Sequence, residues 1–279
     1  SERVRASVLL SIVSYGLNRV RTFRVEVLHL HQQSSGGQAP RLALRESVVL
    51  IGAAALLVVY HYYGKAYYFD EHFFLPLLES GHLDGLDAEW YPLLGYSYWA
   101  VAGLLIRVLV PILLILFLLR ENPLDFGLRL RGMLKHTPLY LLLFMLMLPV
   151  LYAVSTTEAF QLKYPFYKGA VNGTWHFVWF EICYGIQFFS LEFFFRGFMT
   201  FGLYKRFGYY ALLIMTIPYC LIHFGKPLPE TIGAIGAGLL LGFLALRTGS
   251  VYLGTLLHWG VGLTMDALAL YQVSNLENS

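Results

Sequence analysis

Charge is what this sequence has least of. Lys, Arg, Asp and Glu make up 13% of the 279 residues, while hydrophobic residues make up 57%. An ordinary soluble domain is about one-quarter charged. A chain with so little polar surface cannot coat a globule in water, so lipid is its natural solvent. Cysteine is nearly absent as well. Cys183 and Cys220 are the two present, each in an apolar run and neither in a Cys-x-x-Cys pair. That argues against a disulfide framework and a thiolate metal site, and leaves both as small core residues. No His-Glu-x-x-His run occurs, and the arginines lie scattered between apolar stretches rather than in a basic stripe, which argues against a nucleic-acid partner. No secretory signal peptide is expected either. Ser1–Arg5 is polar, Ala6–Asn18 is apolar but short, and no small-residue cleavage site follows.

What is present is a series of apolar runs. Spanning a bilayer core takes roughly 20 residues of helix. Seven runs qualify or come close: Val48–Gly64, Tyr98–Leu119, Pro138–Val154, Trp175–Tyr204, Tyr209–His223, Thr231–Leu246 and Val251–Leu270. Most lack the period-2 alternation of a barrel strand, and in lipid a helix satisfies its own backbone. Positive residues gather before the first run (Arg3 to Arg45), between the second and third (Arg120, Arg129, Arg131, Lys135), between the fourth and fifth (Lys205, Arg206) and at Arg247. The alternate loops are poorer in them. Positive loops stay cytoplasmic. The expected fold is therefore all-α, a polytopic transmembrane helical bundle of about seven spans with a cytoplasmic N-terminus.

Four regions follow. Residues 1–46 form a basic segment with an expected interfacial helix (Ala6–Leu17) and a Ser/Gly/Pro linker (Gln32–Pro40). Residues 47–173 hold the N-terminal membrane helices, 174–270 the candidate functional core and 271–279 a tail. The stretch 65–97, rich in acids and aromatics, reads as a solvated outer loop. Gly238 and Gly242 make a GxxxG, which suits close helix packing within the chain and leaves a homodimer open.

Ionisable residues inside apolar helices are expensive and mark function by default. Arg107, near Pro111, is expected to pair with an acid on a neighbouring helix or to snorkel. Glu181, near the outer end of the fourth run, suits a hydrated structural role. Glu192 and Arg196 stand four residues apart, on one helix face, with Phe193, Phe194 and Phe195 between them. His223 ends the fifth run just before Gly225 and Pro227. His258 lies inside the seventh, with Asp266 two turns on. Singly, each is more often a satisfied structural group than a catalyst. At ~1.5 Å of rise per residue, Glu192 and His223 lie roughly 20 Å and 21 Å above the inner ends of their helices, and His258 roughly 12 Å. One glutamate and two histidines on three helices at similar depth can enclose a water molecule.

The runs that carry these residues are Leu191-Glu192-Phe193-Phe194-Phe195-Arg196-Gly197, Tyr219-Cys220-Leu221-Ile222-His223 and His258-Trp259-Gly260-Val261-Gly262. In order and spacing, over roughly 174–270, they resemble the CPBP family of intramembrane proteases, which includes the CAAX-prenyl endopeptidases and bacterial Abi-type proteins. That family carries Glu-Glu-x-x-x-Arg, Phe-x-x-x-His and His-x-x-x-Asn/Asp on successive helices. Here Leu191 replaces the first glutamate, the family's usual base, and Gly262 replaces the final Asn/Asp.

The resemblance implies a glutamate-type intramembrane endopeptidase, without cofactor, in the bilayer of a bacterial inner membrane. Its substrate would be a membrane-anchored or lipidated protein cut near its C-terminus. Glu192, His223 and His258 would be catalytic, with Arg196, Asp266 and Tyr219 in support. In that assignment Glu192 acts as base, His223 shares the water or protonates the leaving amine, and His258 donates to the oxyanion. Three other readings compete. A zinc ion on Glu192, His223 and His258 would use the same residues. A non-catalytic immunity or scaffold protein would have kept the fold and lost a glutamate. A transporter or proton relay is disfavoured because the halves show no clear repeat.

Overall fold

The structure, a computed structural model, describes residues 43–82, 85 and 87–277. The interfacial helix and linker expected before residue 43 lie outside the described residues. Each of the seven apolar runs is a helix. Six are long and apolar enough to cross a membrane: α1 (Leu44–Tyr63), α2 (Ala88–Leu119), α3 (Met133–Ser155), α4 (Thr174–Phe207), α6 (Leu228–Thr248) and α7 (Tyr252–Ser274). The fifth run forms the shorter α5 (Tyr210–Leu221). No strand occurs among the described residues; Leu128 and Ser250 make one isolated bridge.

Two boundaries differ from expectation. The stretch 65–97 is largely helical: residues 66–79 form a helical segment ending at Ser80–Gly81, and α2 begins at Ala88. Pro92 sits in the first turn of its α-helical part, where its missing N–H has no partner to lose. The helix containing α7 also runs on to Glu277, through much of the expected tail.

The helix α4 is the most buried of the long helices and organises the rest. Its lower half, Phe193–Phe195 with Phe198, Met199 and Leu203, is packed between Val49 and Ala53 of α1, Ile115 of α2, Met215 and Tyr219 of α5 and Ala234 of α6. Its upper half lies along α2 and α7. By contrast, α3 leaves Leu141, Leu142, Met145 and Leu146 exposed, as a lipid-facing helix should. The GxxxG is used within the chain. A Cβ on Gly238 would meet Thr216 Oγ1 at 2.9 Å, and one on Gly242 would meet Leu212 Cδ2 at 2.7 Å. These two glycines seat α6 against α5.

Both buried arginines lie in π-helical turns, a winding that also recurs without arginine at Asp70–Phe74 and Leu114–Leu119. π-helical turns cover Leu105–Leu109 in α2 and Phe193–Phe201 in α4. Pro111 explains the first: it has no N–H to donate to the carbonyl of Arg107, so the regular i→i−4 ladder cannot continue there. Arg107 and Arg196 both lie in these widened turns.

Candidate active site

Glu192 ends the α-helical part of α4 and is 1% exposed; Arg196, one turn on, is 0% exposed. Their side chains meet, with Arg196 Nη1 3.2 Å from Glu192 Oε1. The guanidinium lies over the Tyr219 ring at 3.9 Å and donates through Nη2 to the Ala237 carbonyl at 3.3 Å. A buried charge is tolerable only when paired and hydrogen-bonded, and here α5 and α6 both contribute to holding it. The same Glu192 oxygen lies 2.8 Å from His258 Nδ1, on α7. Gly254, one turn before His258, makes room for the carboxylate: a Cβ there would sit 3.3 Å from Glu192 Oε2.

His223 lies in the α5–α6 turn, which Gly225 closes with φ +86°. Its Nδ1 is 2.8 Å from the Tyr219 carbonyl, and the Thr231 hydroxyl donates to its own carbonyl at 3.0 Å. A carbonyl only accepts, so His223 Nδ1 carries the proton and Nε2 keeps its lone pair in the neutral ring. The carboxylate of Glu192 fixes His258 in the same way, with Nδ1–H donating and Nε2 left over.

Both histidines line one cavity of 450 Å³. Its walls include Tyr60 of α1, Trp99 and Arg107 of α2, and Tyr184, Gln187 and Leu191 of α4. Leu191 faces this space, whereas Glu192 is not among the lining residues and sits behind His258. The cavity therefore meets the imidazoles, with the carboxylate one bond further in.

The structure gathers Glu192, Arg196, His258 and Tyr219 into one contact chain, and brings His223 against the Tyr219 ring at 4.7 Å. Asp266 goes elsewhere. It accepts from the Phe166 N–H at 2.6 Å, 1% exposed, two turns beyond His258. Glu181 is buried too, rather than hydrated, and accepts from Trp259 Nε1 at 3.1 Å. Among the described residues, no group of three or more His, Cys, Asp or Glu side chains is placed to hold a metal ion.

Sequence inspection passed over Phe188 and Gln187. Phe188 packs on the His258 ring at 4.5 Å, and it explains the missing Asn/Asp: a Cβ on Gly262 would lie 2.8 Å from the Phe188 ring. Glycine is what lets that ring reach His258. Gly262→Asn is therefore expected to destabilise the protein by about 1–3 kcal/mol, the usual range for an overpacked core. Thermal unfolding in detergent measures this, with partial recovery expected when Phe188 is shortened to leucine.

Residues 172–264 match the family described as type II CAAX prenyl endopeptidase Rce1-like. No curated protein and no solved structure matches the chain. The matched stretch takes in Glu192, Arg196, Tyr219, His223 and His258, ends before Asp266, and leaves out α1, α2 and α3 with Arg107. Six membrane-length helices, with a stretch that matches a family of membrane endopeptidases, support an integral, multi-pass membrane protein. Over residues 172–264, about a third of its length, the chain is similar to the type II CAAX prenyl endopeptidase Rce1-like family.

Proposed function

We propose that this protein is an intramembrane endopeptidase that hydrolyses a peptide bond near the C-terminus of a membrane-anchored, lipid-modified protein. The observation that carries the reading is the 2.8 Å contact of Glu192 with His258 at the wall of a cavity that His223 also lines. In this scheme one water molecule lies between the two Nε2 atoms and donates a hydrogen to each. Its oxygen attacks the scissile carbonyl carbon as His258 Nε2 takes the proton. The Glu192 carboxylate, hydrogen-bonded to Nδ1, stabilises the imidazolium that forms, as the acid of a Ser-His-Asp triad does. The imidazolium then returns the proton to the leaving nitrogen as the carbon–nitrogen bond breaks. His223 orients the water, and Arg196 and Tyr219 position Glu192.

The role of general base thereby moves from Glu192 to the Glu192–His258 pair, and Leu191 no longer leaves a gap. A non-catalytic relative is the second reading, and Leu191 is the observation that favours it. The two separate in proteoliposomes with an S-prenylated peptide as reporter. Wild-type cleavage is expected, with a loss of about 10²–10⁴-fold in His258→Ala and His223→Ala. Leu191→Glu, which puts a carboxylate on the cavity wall, is expected to change the rate by less than about tenfold, since a working base is already present. A silent wild type that Leu191→Glu switches on would make the natural chain the non-catalytic relative.

A further inference from the structure

Arg107 is the buried cation for which the catalytic scheme has no use. It is 6% exposed. Its guanidinium lies 3.4 Å from the Tyr60 ring centroid, and Nη1 is 3.4 Å from Gln187 Oε1. Nε has no hydrogen-bond partner among the described residues. No carboxylate among the described residues is within ion-pair distance of it. The expected acidic neighbour or snorkelled position is therefore not found. A guanidinium inside a bilayer with neutral partners is costly to keep, and this one lines the cavity that holds His223 and His258.

The cavity wall itself is cationic. Lys65 and Lys226 also line the cavity, and none of its lining residues is acidic. Lys226 is paired with Glu230 at 2.5 Å, whereas among the described residues the Lys65 amine meets the Tyr60 ring, at 5.1 Å, and no carboxylate. Burial, and then the charges of Arg107 and Lys226, push the Lys65 amine down to about 8. An anion entering the cavity would relieve that repulsion.

We infer that Arg107, fixed by Tyr60 and Gln187, is a subsite for the free C-terminal carboxylate of the peptide that occupies the cavity. This rests on the hydrolase reading above. The planar guanidinium fork matches a carboxylate in a bidentate way that an ammonium does not. Gln187 is five residues before Glu192 on α4, about 7.5 Å along the helix, which leaves room for about two extended residues between the carboxylate and the scissile bond. Trp99, Phe166, Tyr184 and Phe188 line the cavity, so apolar side chains would suit those residues. Gln187 is itself held in place: its amide donates to the Trp99 carbonyl, and Tyr60 donates to its Oε1 at 2.8 Å.

The test separates binding from cleavage. The tripeptide Ala-Leu-Leu, as free acid and as C-terminal amide, serves as probe. Its binding is read by thermal stabilisation of the full chain in phosphatidylcholine nanodiscs. The free acid is expected to bind at least tenfold more tightly than the amide. Arg107→Gln is expected to remove that preference by weakening the acid alone, and Arg107→Lys, which keeps the charge without the fork, to retain a smaller preference. Equal binding of acid and amide by the wild type overturns the proposal, and needs no variant to fold. Equal weakening of both probes by Arg107→Gln also overturns it, since a purely structural arginine does that. Stabilisation that follows added phosphatidylglycerol and not the peptide terminus would assign the site to a lipid phosphate instead. An acid preference in a chain that cleaves no prenylated reporter upholds the subsite and removes the hydrolase reading alone.

Discussion

Glu192→Gln is expected to lower kcat for reporter cleavage by about 10³–10⁴-fold, approaching the ~10⁴-fold loss seen when the acid of a Ser-His-Asp triad becomes an amide. The physical reason is the contact between Glu192 Oε1 and His258 Nδ1. A carboxylate accepts a hydrogen bond from Nδ1–H and stabilises the imidazolium, whereas the glutamine amide has an NH₂ group that can instead donate to Nδ1 and favour the wrong tautomer. KM should change little, because Glu192 does not line the cavity. Steady-state kinetics in proteoliposomes separate the two constants. A rise in KM at unchanged kcat would place Glu192 in substrate binding and contradict the scheme.

Arg196→Met is expected to cause the largest loss of stability, about 3–5 kcal/mol, the range for breaking a buried ion pair from one side. Arg196 is 0% exposed and Glu192 1% exposed, so removing the cation leaves an uncompensated carboxylate with little solvent around it. Its contacts with the Tyr219 ring and the Ala237 carbonyl are lost as well. The double variant Glu192→Gln, Arg196→Met should recover much of that loss, because a neutral pair carries no desolvated charge. Thermal unfolding in detergent measures all three proteins. The double variant also separates folding from chemistry: it is expected to be more stable than Arg196→Met and still unable to cleave. A double variant as unstable as the single one would show that the ring and carbonyl contacts, and not the ion pair, hold this part of the helix.

The fold was legible because the apolar runs are long and lipid leaves the backbone few alternatives. The charged residues inside those runs pointed to α4, α5 and α7, and counting rise per residue placed Glu192, His223 and His258 at similar depth. What could not be read was the direction in which each side chain points. Leu191 and Glu192 are adjacent in sequence, yet one lines the cavity and the other sits behind His258, and this depends on how α4 is rotated against α5 and α7. The π-helical turns after Glu192 and before Pro111 are likewise not revealed by the apolar pattern. Asp266 is a different case. Its spacing from His258 placed it in a supporting role, whereas its nearest described partner is a backbone N–H from the loop before α4. Gln187 and Tyr60 drew no attention because a search for charged groups passes over neutral ones, although together they hold Arg107.

The central claim is that a water molecule, activated by the Glu192–His258 pair, cleaves a peptide bond within this membrane protein. Its most direct test is reporter cleavage in H₂¹⁸O by wild type and by the Glu192→Gln, Arg196→Met double variant, with the products read by mass spectrometry. One ¹⁸O atom in the newly formed carboxyl group of the wild-type product, and no product from a folded double variant, is the predicted result. Cleavage by the double variant at the wild-type rate would contradict it.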